Sequence, residues 1–135
     1  MWIALREGNS VWRLDLRDGR IHHIAGTGKS GYTGDGGSAK KATMNGPKGI
    51  ESATNGKVYI VDTENQVIRE IDPKADKIRT VAGVGPQGRG YGGDDGPATQ
   101  AEMDRPHGIG IGPDGGLYIG DTNNHRVRKV LPVKN

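Results

Sequence analysis

This chain of 135 residues lacks cysteine and phenylalanine, and its only aromatic residues are two tryptophans and four tyrosines. Without cysteine it has neither a disulfide nor a thiol nucleophile. Apolar residues make up 32% of the sequence, which is little for a domain built around one central core. No apolar stretch approaches the length that spans a bilayer, so we expect no membrane partner.

Glycine is abundant, in contrast, and the charges nearly balance. The chain has 24 glycines, and its 19 lysines and arginines exceed its 16 acids to give a net charge of +3. This mildly basic balance permits an anionic partner such as RNA without favouring one strongly. A glycine-rich chain with few large side chains suits an architecture of thin layers that pack on one another.

The most informative feature is an internal repeat. Gly31–Ile50 and Gly90–Ile109 align without gaps and are identical at 11 of 20 positions. Downstream, Val58–Ile71 aligns with Leu117–Val130, and a weaker third copy opens the chain at Trp2–Asp15. Self-similarity at this scale predicts an array of identical supersecondary units.

Each repeat has the pattern of an all-β unit. Short runs rich in valine, isoleucine and tyrosine, such as Val58–Asp62, are followed by polar turns. Alternation along Val67–Ile71 predicts a strand with two different faces, and Asp72–Asp76 has residues that favour a tight reversal. With Lys77–Ala82, and with Gly108–Gly112 opening the next unit, each repeat gives four short antiparallel strands. Four-stranded units repeated radially form a β-propeller.

A glycine-rich segment lies between consecutive units. Asp35 and Asp94 stand shortly before Ser38 and Pro97, so we predict that their carboxylates cap the free amides of a short helical turn. The same aspartates are poor calcium ligands, because calcium takes about six to eight oxygens and each loop offers one or two carboxylates.

These motifs resemble the NHL repeat family, in the bacterial subtype marked by GYxGDGGPAxxAxL, PxGI, LYIADTxNHRIRKV and TVAG. The matching segments are Gly90–Ala98, Pro106–Ile109, Leu117–Val130 and Thr80–Gly83. The resemblance covers essentially the whole chain and implies blades of a six-bladed β-propeller. Bacterial members of the family are often exported, so it also implies an extracytoplasmic origin for the parent protein.

The alignment predicts how the chain divides. Trp2 aligns with the second strand of a unit, so residues 1–43 are expected to form a blade without its inner strand. Residues 44–102 then form a complete blade plus connector, and residues 103–135 form a blade without its outer strand. This is about half of a six-bladed ring, with open blade faces that favour association. We expect either a piece of a longer protein or self-association, and we prefer two copies closing one ring over an open stack.

His107 is the residue that most invites a catalytic interpretation. It precedes an inner strand, and a similar six-bladed enzyme group, the peptidyl-hydroxyglycine amidating lyases, binds zinc with a ring of histidines. Lys48 occupies the equivalent position in the preceding repeat, and a single histidine falls short of a catalytic zinc ligand set. We therefore predict no metal and no cofactor, and expect His107 to be exposed or bonded to the backbone.

Other repeated polar residues are predicted to brace the scaffold. Asp62 and Asp121 follow equivalent strands, and Asn65 and Asn124 lie in the turns after them. Side chains of this kind bond backbone amides and pair with arginine. Because the same acids recur in each repeat, a structural role is favoured over acid–base catalysis.

The function predicted from these observations is a non-catalytic binding or interaction scaffold, with a protein or a carbohydrate as ligand. Two alternatives stay open: a lyase or lactonase-like enzyme with a metal in the channel, and, less favoured, an RNA-binding module. The residues expected to face a ligand lie near the inner strands or in the glycine loops, and they are Tyr32, Lys48, Glu51, Tyr91, Arg105 and His107.

Overall fold

A computed structural model describes residues 1–132, in which ten β-strands form three antiparallel sheets. The predicted all-β fold is confirmed, with sheets of three, four and three strands. The first sheet has β1 (Trp2–Leu5), β2 (Ser10–Leu14) and β3 (Ile21–Ala25); the second has β4 (Pro47–Ser52), β5 (Val58–Asp62), β6 (Val67–Asp72) and β7 (Lys77–Ala82); the third has β8 (Gly108–Ile111), β9 (Leu117–Asp121) and β10 (Arg126–Val130).

The strands of each sheet pair in chain order. In the second sheet, for example, Glu70 lies opposite Tyr59 on one side and opposite Arg79 on the other. The Asp72 carboxylate closes the reversal after β6. It accepts hydrogen bonds from the amides of Lys74 and Ala75. Aspartate favours such turns because its short side chain reaches the local backbone.

Two connectors join the sheets, residues 26–46 (connector 1) and residues 83–107 (connector 2). Each contains one short 3₁₀ turn, Ala39–Lys41 or Ala98–Gln100, and two further turns follow β5 and β9 at Thr63–Asn65 and Thr122–Asn124. No helix within residues 1–132 has the length and apolar character needed to cross a membrane.

The predicted capping by Asp35 and Asp94 is wrong. Ser38 and Pro97 occupy the cap positions of the two connector turns, and neither makes a side-chain cap bond; the Lys40 amide of the first turn donates to the Asp76 carboxylate. A turn this short leaves few free amides to satisfy, and both aspartates bond arginines of the following sheet instead.

The apolar core consists of two thin layers, one on each side of the second sheet. The first layer joins Val11 and Ala25 to Ile60 and Ile71, and the second joins Ile68 to the third sheet. The first five residues of β6 are therefore all buried. Alternate side chains of β6 point to opposite faces of the sheet, as predicted, and each face packs against a different neighbouring sheet.

The strand β4 lies between two neighbours, with β1 packed on one flank and β8 on the other. Gly49 makes the second approach possible, since a Cβ at this position would lie 2.5 Å from the His107 carbonyl oxygen. No real Cβ tolerates such a distance to backbone, so only glycine fits. This close approach determines the geometry of the candidate functional site at the beginning of β4 and β8.

Candidate functional site

Four basic side chains gather where the inner strands begin. Arg6 lies in the turn after β1, Lys48 lies on β4, and Arg105 and His107 lie at the end of connector 2. We call these four residues the cationic cluster. Their mutual influence is electrostatic, because the charges of Arg6 and Arg105 lower the pKa of both Lys48 and His107.

The centre of the cluster is a contact between equivalent positions of two repeats. Lys48 Nζ lies 2.7 Å from His107 Nε2. A lysine ammonium group only donates, so Nε2 accepts the bond and the imidazole is neutral, with its proton on Nδ1. The approach of β8 to β4 over Gly49 brings these two side chains within reach.

Both groups have a pKa below the ordinary value, so the charged form of each is less favourable than in water. Burial and then the charges of Arg105 and Arg6 lower the pKa of Lys48, while Glu64 opposes the shift. Burial and then the charges of Lys48 and Arg105 lower the pKa of His107. An anion placed among these groups would reverse the repulsion, because an opposite charge favours the protonated form of each.

Arg105 contributes an unsatisfied donor to the cluster. Its backbone has a φ of +46°, and its amide donates to Gln66 Oε1 at 2.6 Å. One guanidinium nitrogen donates to Glu64 Oε1, also at 2.6 Å. The buried Nε has no hydrogen-bond partner within residues 1–132. A buried donor without a partner is costly to the folded state.

The prediction that His107 is exposed or bonded to the backbone through its side chain is wrong. The ring is half-buried and contacts Lys48, because the neighbouring inner strand presents a lysine at the equivalent position. Within residues 1–132, no three histidine, aspartate or glutamate side chains lie close enough together to hold a metal ion.

The remaining predicted ligand-facing residues lie outside the cationic cluster. The Glu51 carboxylate accepts a bond from the Ser52 amide, further along β4. The Tyr32 hydroxyl contacts Thr80 Oγ1 at 2.8 Å, which fixes this ring between connector 1 and β7. Tyr91 is exposed, and the Arg126 guanidinium lies 3.9 Å from its ring centre.

The repeated acids hold a buried arginine in each of the last two sheets. Arg69 is fully buried and donates to Asp35 Oδ1 at 2.8 Å and to the carbonyl oxygens of Thr33 and Thr43. It also lies 3.5 Å from Asp62 Oδ2. We call this arrangement the arginine clamp, since it fastens connector 1 to the second sheet.

The third sheet repeats the clamp with Arg128, which bonds Asp94 Oδ1 at 2.6 Å and lies 3.4 Å from Asp121 Oδ2. Asn65 and Asn124 add equivalent bonds, each donating at 2.8 Å to a connector carbonyl oxygen. Burial is the largest influence on Asp62 and raises its pKa to about 6, although bonds from the Asn45 amide and from Arg69 oppose the rise.

The predicted pairing of Asp62 and Asp121 with arginine is confirmed. The part of the clamp made by Asp35 and Asp94 was missed because these partners are far from the arginines in the chain. Asp35 and Arg69 are 34 residues apart, and so are Asp94 and Arg128. This identical spacing of opposite charges in two aligned repeats is a signal in the sequence that points to a repeated pair, one in each unit.

The sequence and the fold of this chain are similar to those of known proteins. The family model for the NHL repeat matches residues 103–130, and the model for the teneurin NHL domain matches residues 22–89, about half of the chain. The chain is 31% identical over 136 residues to the protein SUPPRESSOR OF QUENCHING 1, chloroplastic, of Arabidopsis thaliana, with 96% of the chain and 12% of that protein covered.

It is also 31% identical over 141 residues to NHL repeat-containing protein 2 of Gallus gallus, covering 99% of the chain and 19% of that protein. Among solved structures, an auxiliary nutrient binding protein from Bacteroides thetaiotaomicron superposes with a TM-score of 0.77 at 26% identity, with 95% of this chain and 33% of that chain covered. The chain thus spans a fifth or less of these two relatives and a third of this structure.

The repeated sheets, the matching family models and the NHL-repeat relatives agree, and the chain belongs to the NHL-repeat family.

Proposed function

We propose that this chain is a non-catalytic binding scaffold whose cationic cluster holds an anionic group of its ligand. The observation that carries the proposal is the 2.7 Å contact of Lys48 with His107, two groups whose pKa the charge of Arg105 lowers. Basic side chains gathered in this way suit a carboxylate, sulfate or phosphate oxygen. A protein or carbohydrate ligand would supply that group.

The structural neighbour described as a nutrient binding protein is consistent with a binding role. Metal-dependent enzyme activity is not favoured, since the cluster combines one histidine with lysine and arginine, which are not metal ligands at neutral pH. RNA remains the alternative anionic partner, and it would be recognised by a steep fall in affinity with salt.

The direct test is binding of sulfate, a dianion whose charge is constant from about pH 5 to pH 8. The pKa of His107 in the free protein lies below its ordinary value, and a bound anion favours the imidazolium ion. We therefore expect sulfate affinity to rise, by up to about tenfold per pH unit, as the pH falls from the pKa of His107 in the sulfate-bound state to that in the free protein, and to level off below it. Histidine resonances, recorded by NMR at constant ionic strength with chloride as reference, report both binding and the raised pKa of His107.

Lys48→Met is the variant for this experiment and Lys129→Met is its control, because Lys129 lies on β10, outside the cluster. The first variant should abolish the saturable shift, and the second should leave it unchanged. A shift that is linear in sulfate concentration, or one that survives in Lys48→Met, rejects the proposal.

We further propose that the chain represents the bacterial subtype of the family and about half of a six-bladed ring, which two copies close. The open faces support this pairing. Val127 aligns with Ile68, which is fully buried, but is itself 71% exposed. Ile21 aligns with the buried Ile78 and is 57% exposed. Joining the third sheet of one copy to the first sheet of another would cover both positions.

For ring closure we expect a solution mass near twice 14.3 kDa, measured by light scattering after size exclusion. Val127→Asp should return the protein to the single-chain mass, because a carboxylate would be buried at the joint. Leu131→Asp is a matched control, since Leu131 is 72% exposed and aligns with Asp72 in the second sheet. A monomer at all concentrations, or equal effects of the two substitutions, argues against a closed pair.

A further inference from the structure

Two lysines within residues 1–132 are half-buried, Lys48 and Lys57. The Lys57 ammonium group donates to Glu70 Oε1 at 2.7 Å, so it faces an acid, as a half-buried lysine usually does. Lys48 Nζ lies at 2.7 Å from His107 Nε2 instead, and within residues 1–132 no carboxylate forms an ion pair with it. The amine of Lys48 therefore faces a proton acceptor rather than an anion that would keep it charged.

The charges around Lys48 are mainly positive. The guanidinium groups of Arg105 and Arg6 repel its charge, and Glu64 attracts it. The Glu64 carboxylate is itself engaged by Arg105 at 2.6 Å. Glu7 pairs with Arg6, but its side chain is 87% exposed, so water and salt screen its charge. An anion formed at Lys48 would therefore be surrounded by more positive than negative charge.

These surroundings make Lys48 a better nucleophile than an ordinary lysine. Burial, followed by the charges of Arg105 and Arg6, lowers its pKa. Lys129 is the contrasting case, because its bond to the Asp114 carboxylate raises its pKa. The uncharged amine is the nucleophilic form of lysine. This form is thus more abundant at Lys48 than at Lys129 at any given pH.

Carbon dioxide is a small electrophile that an uncharged amine attacks to form a carbamate. The reaction replaces the positive charge of an ammonium group by the negative charge of the carbamate. Neighbouring cations disfavour the first charge and favour the second, so Arg6 and Arg105 promote the exchange in both respects. Lys48 is half-buried, and its solvent-exposed part is accessible to dissolved carbon dioxide.

We propose that Lys48 is a reversible carbamylation site, at which carbon dioxide becomes covalently bound among the residues of the cationic cluster. The Lys48 ammonium group first gives one proton to His107 Nε2, and the nitrogen lone pair then forms an N–C bond to carbon dioxide. One C–O π bond breaks, its electron pair becomes the negative charge on oxygen, and the nitrogen loses a second proton to water. His107 passes its own proton to water, so two protons are released for each carbamate formed.

This inference rests on the same cationic cluster as the proposed function, but here the anion is made on the chain itself. The carbamate oxygens would take the place of the carboxylate, sulfate or phosphate oxygen of a ligand. Carbon dioxide should therefore compete with sulfate. At constant pH and ionic strength, we expect the sulfate affinity to fall as the concentration of dissolved carbon dioxide rises.

Carbon-13 NMR of the intact chain, equilibrated with labelled bicarbonate at about pH 8, detects carbamates directly. An α-amino group also forms a carbamate near this pH, so Met1 supplies a reference resonance. We expect a second resonance from Lys48. It should disappear in Lys48→Arg, which keeps the positive charge, and persist in Lys129→Arg, the matched control. Alkylation of the carbamate followed by peptide mass mapping locates it in the chain.

Arg6→Gln tests whether the cluster promotes the reaction. The side chain of Arg6 is 53% exposed, so folding tolerates the change. Removing this charge should lower the carbamate fraction at Lys48 by about threefold, since interactions between exposed charges are modest. Arg17→Gln is the charge-matched control, because Arg17 lies between β2 and β3, at the opposite end of the first sheet from Arg6. It should leave the fraction unchanged.

The proposal is overturned if the wild-type chain shows the Met1 resonance alone, or if the second resonance survives in Lys48→Arg. Equal effects of Arg6→Gln and Arg17→Gln also overturn it, because the cluster would then not promote the reaction. Saturable sulfate binding without a Lys48 carbamate rejects this inference and leaves the proposed function standing. A Lys48 carbamate in a chain that binds no sulfate does the reverse.

Discussion

Arg69→Met should lower the free energy of unfolding by about 3–5 kcal/mol, the usual cost of removing one partner from a buried ion pair. The guanidinium group is fully buried and supplies bonds to two carbonyl oxygens as well as to Asp35 and Asp62. Methionine fills much of the volume but donates no hydrogen bond. The carboxylate of Asp62, itself fully buried, would lose its charged partner.

Urea denaturation of the wild-type chain and the variant measures this loss, and Arg128→Met is the matched control. Arg128 makes the equivalent bonds and also pairs with a fully buried aspartate, Asp121, but its own side chain is 9% exposed where that of Arg69 is 0% exposed, and water can replace some of the lost contacts. We expect a cost of about 1–2 kcal/mol there. Equal losses in the two variants would mean that burial does not determine the strength of the arginine clamp.

Gly83→Ala should be among the most damaging of the glycine substitutions. The φ of Gly83 is +94°, and an added Cβ would lie 2.2 Å from the Gln66 carbonyl oxygen. The left-handed backbone costs alanine about 1–2 kcal/mol. Displacing packed backbone adds about 1–3 kcal/mol. We expect a clearly lower melting temperature, together with disturbed resonances at Arg105, whose amide is bonded by Gln66.

Gly56→Ala separates the two contributions. Its φ is +86°, and no heavy atom lies within 4 Å of the added Cβ. It should therefore show the backbone cost alone, about 1–2 kcal/mol. Thermal unfolding followed by circular dichroism compares the two variants. If Gly56→Ala is as destabilising as Gly83→Ala, the close approach at Gly83 carries no extra penalty.

The strands of this protein could be predicted because their signals are local. Runs such as Val58–Asp62 and the turn around Asp72 can be recognised from a few consecutive residues. The internal repeat supports each prediction independently. The internal alignment also placed Lys48 and His107 at equivalent positions. It did not predict their contact, since that contact depends on how closely β8 approaches β4 over Gly49.

The arginine clamp illustrates a different limit. An aspartate a few residues before a short turn is typical of a cap, and a local pattern offers no competing partner. The actual partner of Asp35 comes from a strand that follows 34 residues later. A fully buried arginine is rare enough that neither composition nor alternation along β6 predicts it.

The hydrogen bonds of the connectors determine where such a repeat array can be divided and recombined. The polar bonds of connector 1 are mainly to residues that follow it in the chain. They come from Arg69 and Ile78 of the second sheet and from Asn65 in the turn between β5 and β6. Connector 1 is thus fastened to the sheet that follows it. A chimaera spliced at Gly26 would keep the Arg69 clamp intact, whereas a splice at Pro47 would divide this clamp between two parents. Recombination and circular permutation should therefore be tolerated better at the beginning of connector 1 than at its end.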